Sequence, residues 1–283
     1  MALPSYATPV ERVWHYAFNI ICGLIFFFLI APIIVIIPLA FNAEPYFTFT
    51  REMLSLNPDG YSLRWFEALF GSSEWMSSIG NSFIISICST IIATALGTLA
   101  ALGLNRPNMP ARGIITAVLI SPMIVPLIIT AAALFSFFAR VGLSQTFPGI
   151  ILSHVVLGTP FVVLTVTASL AGFNETLIRA SQSLGANQTR TFFKVILPLL
   201  LPGVISGALF AFVTSLDEVV IVNFMAGPNQ TPMTVRMFSG LREEISPTIL
   251  ALASLLVALS ILLLTTLEMI RRRNERLRGM SPA

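Results

Sequence analysis

Residues 179–202 read RASQSLGANQTRTFFKVILPLLLP. The chain on either side is almost wholly apolar, yet this stretch holds Arg179, Arg190 and Lys194, a lone Gly185, and a closing Pro198 and Pro202. Read locally with its lead-in, it predicts two short helices with a break between them. Asn174 is placed to cap the first, which runs to about Leu184, and Gly185 supplies the left-handed residue that closes it. Asn187 is placed to cap the second, through about Ile196, after which the prolines redirect the chain into the next apolar run. Leu177, Ala180, Leu184, Phe192 and Phe193 would give such a hairpin an apolar side. An ordinary basic loop and a docking surface for a partner fit these residues equally well.

The surroundings decide what the hairpin interrupts. Of 283 residues, 55% are hydrophobic and 10% charged, with a mean hydropathy of +0.87. An average soluble domain is about 25% charged. One core cannot absorb this much apolar surface, so lipid is the natural solvent, and there backbone polarity must be satisfied inside helices or a closed barrel. The apolar runs are too long and continuous for alternating barrel strands. The chain therefore reads as an all-α membrane protein. Six runs reach the roughly 20 residues that span a bilayer, near 17–41, 77–104, 113–139, 148–172, 200–225 and 247–270. The first is longer than the roughly 7–15 residues of a signal-peptide core, so it reads as a retained anchor.

Charge orients the spans. With both termini cytoplasmic, the cytoplasmic segments hold eleven basic residues against four acids, and the opposite side five against seven. Positive charge stays inside. The organisation that follows is a cytoplasmic N-terminus (1–16), a transmembrane domain (17–270) with a cytoplasmic hairpin at 174–198, and a basic tail (271–283). The tail's RRRNERLR reads as a stop-transfer and orientation signal, not a nucleic-acid site. In the outer loop 42–76, NPDG marks a turn, and Leu63, Phe66, Leu69 and Phe70 recur at helical spacing, predicting a short amphipathic helix. Pro122, Pro126 and Pro160 predict kinks in the third and fourth spans.

Few residues offer chemistry. Cys22 and Cys88 lie in apolar runs and read as free thiols. No Cys, His and carboxylate cluster has metal-ligand spacing. The single lysine, Lys194, has no glycine loop before it, so there is no phosphate-binding P-loop and no nucleotide site in this chain. His154 reads as a helix–helix hydrogen-bond partner. Asp217 and Glu218 are the acids expected within a span, where a charge costs at least about 2.5–3.5 kcal/mol and faces a bundle interior or aqueous cavity. Adjacent helix residues point about 100° apart, so the two acids have different jobs. Asp217 is the better candidate to line a path, and Glu218 to steady a helix or an interface. Phe161 and Phe212, with Phe210 and Phe224, are placed to flank an alkyl chain.

The hairpin also carries a spacing. Arg179-Ala180-Ser181, three residues, Gly185, nine residues and Val195-Ile196-Leu197-Pro198 resemble the E-A-A, three, G, nine, I-x-L-P motif of ABC importer permeases. Ser181 and Val195 are mild departures. Arg179 reverses a charge, since the family usually has glutamate there. NSFIIS (81–86), SHVVLGTPFVVLTVTASLAGF (153–173) and LDEVVIVNFMAGPNQTPMTV (216–235) resemble the spermidine/putrescine permease branch, over roughly residues 60–265. The resemblance implies the type I ABC importer permease fold in a bacterial inner membrane. It also implies that the hairpin, through Arg179, Ala180, Ser181, Leu184, Gly185, Ala186, Phe192, Phe193, Leu197 and Pro198, seats in a cytoplasmic ATPase dimer that binds ATP and magnesium. A second, different permease subunit and an external substrate-binding protein complete the implied apparatus, and the implied cargo is a polyamine or related small cation. A permease for an amino acid or GABA-like solute is the alternative. More distant ones are a secondary transporter, for which no inverted repeat is visible, and an intramembrane enzyme built on His154 and a serine.

Overall fold

The computed structural model describes residues 8–174, 176–243 and 246–277. In chain order the helices are α1 (Pro9–Leu39), α2 (Arg51–Leu54), α3 (Arg64–Gly71), α4 (Ser73–Leu104), α5 (Arg112–Ile124), α6 (Leu127–Arg140), α7 (Phe147–Ala171), α8 (Thr176–Ser183), α9 (Gln188–Thr191), α10 (Leu197–Leu216), α11 (Val220–Met225), α12 (Met233–Glu243) and α13 (Thr248–Leu277). A π-helical turn, Phe192–Ile196, joins α9 to α10. Among the described residues the only strand-like pairing is an isolated bridge between Asn42 and Tyr61. Among the described residues five helices are long and apolar enough to cross a membrane, and α5 with α6 makes a sixth, broken candidate. The chain is thus an all-α membrane protein, and it divides into two compact units: Met1–Ser72 with Gly240–Leu263, and Ser73–Ser239 with Leu264–Ala283.

In the first unit, Thr8 and Glu11 close a capping box at the start of α1. Asn42, fully buried, organises the loop that follows. Its side-chain amide donates to the carbonyls of Tyr46 and Thr48, and its own carbonyl accepts from the Trp65 indole at 2.8 Å. The predicted amphipathic helix is α3, with Leu69 buried and Phe66 against Phe41. The basic tail belongs to the second unit and extends α13 as far as Leu277, and residues 278–283 lie outside the described residues.

In the second unit, α4, α7 and α10 pack against one another on small residues. Val162 of α7 lies between Gly97 of α4 and Gly207 of α10, and Gly158 faces Ala93 and Ala211. Lipid supplies no hydrophobic drive between helices, so close backbone approach at small residues supplies the contact instead. A second cluster, including Ile85, Phe138, Ile150, Ile221 and Met225, joins α4, α6, α7 and α11.

Two spans differ from their sequence-based expectations. The third is broken, not kinked: α5 and α6 meet at 107°. Val125 precedes a proline, which disfavours its helical conformation, and it is extended with ψ at 134°. Pro126 follows with ψ at 128°, so two consecutive residues leave the helix. The fifth begins earlier than expected and runs unbroken from Gln188 to Leu216, so Pro198 and Pro202 do not redirect the chain. The π turn explains the tolerance at Pro198. There the Leu197 N–H bonds the Phe192 carbonyl five residues back, which widens the helix where the proline ring would meet the preceding turn. The helix then stops at Leu216, and Asp217, Glu218 and Val219 connect it to α11.

Candidate functional site

The two breaks meet at one cavity of about 730 Å³. Pro122 to Leu127 border it from the α5–α6 break, Val213, Thr214 and residues 217–220 from the end of α10, and Leu157 and Phe161 from α7. Of the residues expected to line a path, Asp217, Glu218 and Phe161 border this cavity. Phe212 is half-buried on α10 and is not among its lining residues. Phe161 stacks on Phe210, with ring centroids 6.1 Å apart.

The adjacent acids do separate things, as their angular separation implies. Asp217 is exposed, and its carboxylate has no hydrogen bond or ion pair among the described residues. Glu218 is buried, and its carboxylate accepts the N–H groups of Ile221 (2.9 Å) and Val222 (3.1 Å), so it caps the start of α11. Those N–H groups have no other partner within a new helix. Glu218→Ala is therefore expected to leave two buried donors unpaired and to cost about 1–3 kcal/mol. A lowered melting midpoint of the detergent-purified chain is the check, and an unchanged midpoint would remove the capping role.

Behind Glu218 runs a buried polar seam that no local sequence signal announces. His154 Nδ1 lies 2.7 Å from Ser215 Oγ, which lies 2.9 Å from Ser89 Oγ. The predicted role of His154 as a helix–helix hydrogen-bond partner is what the structure shows. Its Nε2 lies 3.9 Å from a Glu218 oxygen. The order Glu218, His154, Ser215 resembles a nucleophilic triad, yet Ser215 is buried between helices and does not border the cavity. Without access to a reacting carbonyl, such a serine cannot act as a nucleophile. Further along α4, Ser82 accepts the Met233 N–H, Asn81 donates to the Asn229 and Thr231 carbonyls, and Arg236 donates to Ser78 and Glu74.

The hairpin forms as its caps predict. The Asn174 side chain accepts from the Thr176 N–H, α8 ends at Ser183, and Gly185 has φ of +83°. Asn187 accepts from the Arg190 N–H at 2.8 Å. Ser181, standing where the motif has alanine, bonds buried Thr191 at 2.8 Å and ties the two arms together. Ala180 and Gly185 are exposed, and Ala186 and Leu197 are half-buried. Leu184 (89%), Phe193 (60%) and Leu177 (43%) are exposed, while Phe192 is half-buried and borders a pocket with Leu102, Leu170 and Ile178. Arg179 and Pro198 are exposed, and Arg179 makes no salt bridge among the described residues. The hairpin thus presents bulky apolar side chains outward, next to basic ones.

Comparison with known proteins matches residues 93–276 to the family described as binding-protein-dependent transport system inner membrane component. The chain is 31% identical over 257 residues to the spermidine/putrescine transport system permease protein PotC of Haemophilus influenzae, covering 91% of this chain and 97% of that one. It is 31% identical over 239 residues to the putrescine transport system permease protein PotI of Escherichia coli, covering 82% of each. Among solved structures, a bacterial ABC transporter involved in the import of the acidic polysaccharide alginate aligns with a TM-score of 0.74 at 13% identity, over 94% of this chain and 99% of that one.

Proposed function

From the premise that this chain belongs to the binding-protein-dependent transport inner membrane components, we propose that it is a permease subunit of an ATP-driven importer for spermidine, putrescine or a closely related cation. The observation that carries the substrate class is Asp217, an unpaired carboxylate in the cavity where two spans break. The alginate transporter shares the fold while importing an acidic polymer, so fold alone does not select the charge of a cargo; the side chains at the cavity do. An ammonium group entering here meets a carboxylate that makes no ion pair among the described residues. Phe161 lies beside it for the intervening methylenes. The names of the similar permeases point to the same substrates.

In this reading the chain sits in a bacterial cytoplasmic membrane with both termini inside. ATP and magnesium belong to a cytoplasmic ATPase, an external binding protein delivers the cargo, and a second permease subunit completes the path. The hairpin around Gly185 meets the ATPase, with exposed Leu184 and Phe193 as its apolar contacts. Gly185→Val forces a branched side chain into the left-handed region, at about 1–2 kcal/mol. It is expected to lower substrate-stimulated ATPase activity several-fold without changing the amount of chain in the membrane. Full stimulation in the variant would detach the hairpin from coupling. The function itself is tested by uptake into proteoliposomes holding the whole complex and binding protein, offered labelled spermidine, putrescine, an amino acid and GABA. ATP-dependent uptake of the polyamines alone is expected; uptake of the amino acid or GABA instead rejects the substrate class.

A further inference from the structure

The place of Asp217 is set through its backbone. Its N–H donates to the Val213 carbonyl at 3.0 Å, so it completes the last turn of α10 and goes where that turn goes. A helix end leaves carbonyls without partners and frays unless something holds it. In that turn, Val213 to Leu216, Ser215 alone is buried. Val213 and Thr214 border the cavity with Asp217, whereas Ser215 belongs to the polar seam. Its Oγ lies 2.7 Å from His154 Nδ1 on α7 and 2.9 Å from Ser89 Oγ on α4, so two other helices hold this one hydroxyl.

One assignment of protons serves every contact in the seam. The Ser89 hydroxyl donates to the Ser86 carbonyl at 3.1 Å. A hydroxyl has a single proton to give. Ser89 therefore accepts from Ser215, and Ser215, its proton so engaged, accepts from His154, whose Nδ1 is the donor. The other ring nitrogen, Nε2, is buried, has no hydrogen-bond partner among the described residues, and stands 3.9 Å from a Glu218 oxygen. We propose that His154 is a positioning residue for the cavity carboxylate. Its Nδ1–H grips Ser215, ties the last turn of α10 to α7, and so fixes where Asp217 stands beside Phe161. On the far side Glu218 is fastened to the start of α11, so Asp217 lies between two anchored residues. This rests on the importer reading of the cavity, and adds to it a residue that never meets the cargo: His154 is 2% exposed and does not border the cavity.

The test is a double-mutant cycle on polyamine uptake by the whole complex in proteoliposomes. His154→Leu removes the donor and is expected to raise KM by about 3- to 10-fold, because the charge stays in the cavity and only its placement is lost. His154→Asn can put an amide N–H close to where Nδ1 stands, and is expected to recover most of the affinity. In an Asp217→Asn background His154→Leu is expected to add no more than about twofold, since a residue that acts through a carboxylate has nothing to act through once it is gone. A merely structural histidine lowers the melting midpoint but raises KM by the same factor in both backgrounds, or in neither. Should leucine reduce the assembled complex, Ser215→Ala carries the same cycle with less volume changed. A KM at the wild-type value in His154→Leu and Ser215→Ala overturns this inference and leaves the importer reading standing. Equal effects with and without Asp217 do the same, as does an asparagine variant no better than leucine. Absence of polyamine uptake by the wild-type complex overturns both.

Discussion

Replacing Asp217 with asparagine is expected to raise the KM for polyamine uptake by about 10- to 100-fold, with the complex still assembled. The magnitude follows from the loss of one charge-assisted hydrogen bond, about 1.5–3 kcal/mol, at 1.4 kcal/mol per factor of ten. Assembly is preserved because Asp217 holds nothing together: its side chain is exposed to the cavity and bonds no other described residue. The neighbouring acid makes the contrast. Glu218 is tied to two N–H groups, so its substitution acts first on stability. Asp217→Glu keeps the charge and is expected to recover most of the affinity. Uptake kinetics in proteoliposomes, with basal ATPase rate as the control for assembly, separate the outcomes. An asparagine variant with wild-type KM would remove Asp217 from the path.

The largest structural effect is expected from Gly207→Val. A Cβ at this position stands 2.4 Å from the Thr165 hydroxyl and 2.8 Å from the Val162 Cα. The second of these is backbone, which no rotamer change can move. Helices α7 and α10 must separate, and the gap spreads to Gly203 and Ala211 on the same face. Overpacking ordinarily costs about 1–3 kcal/mol and sometimes more; with a backbone in the way, about 3 kcal/mol or more is expected. The sign is a lower melting midpoint and a smaller folded fraction extracted from membranes. Gly80→Ala is the matched control, since a Cβ there meets nothing within 4 Å. It is expected to be neutral or slightly stabilising, as alanine exceeds glycine in helix propensity. Equal losses in both variants would deny the seam its special role.

The hairpin was legible in the sequence because its signals are local. Asn174, Gly185 and Asn187 act on backbone groups within a few residues of themselves, and each does what its residue type suggests. The membrane class was legible from composition, and the different jobs of Asp217 and Glu218 from the angle between adjacent positions. The helix breaks were less so. Pro122, Pro160 and Pro202 lie inside continuous helices while Pro126 begins a new one, so proline alone does not say which span breaks. The deciding fact is that Val125 and Pro126 both leave the helix, which depends on what the exposed ends pack against. The seam of His154, Ser215 and Ser89 joins residues 61 and 126 positions apart. Its members look like ordinary membrane serines until three helices are brought together. Phe161 and Phe212 are equivalent by composition, and only the packing of α7 and α10 sets one beside the cavity.

The unbroken run from Gln188 to Leu216 has a mechanical consequence. Its 29 residues make a rod about 43 Å long. The hairpin's second arm is one end of that rod, and Asp217 is the first residue beyond the other. A tilt of about 10° around the middle would carry each end about 4 Å, in opposite directions, at this length. Helical hydrogen bonding continues through the π turn at Phe192–Ile196, whereas the helices end at Leu216 and at Ile124. One continuous helical run therefore links the hairpin's second arm to the lip of the cavity where the carboxylate stands.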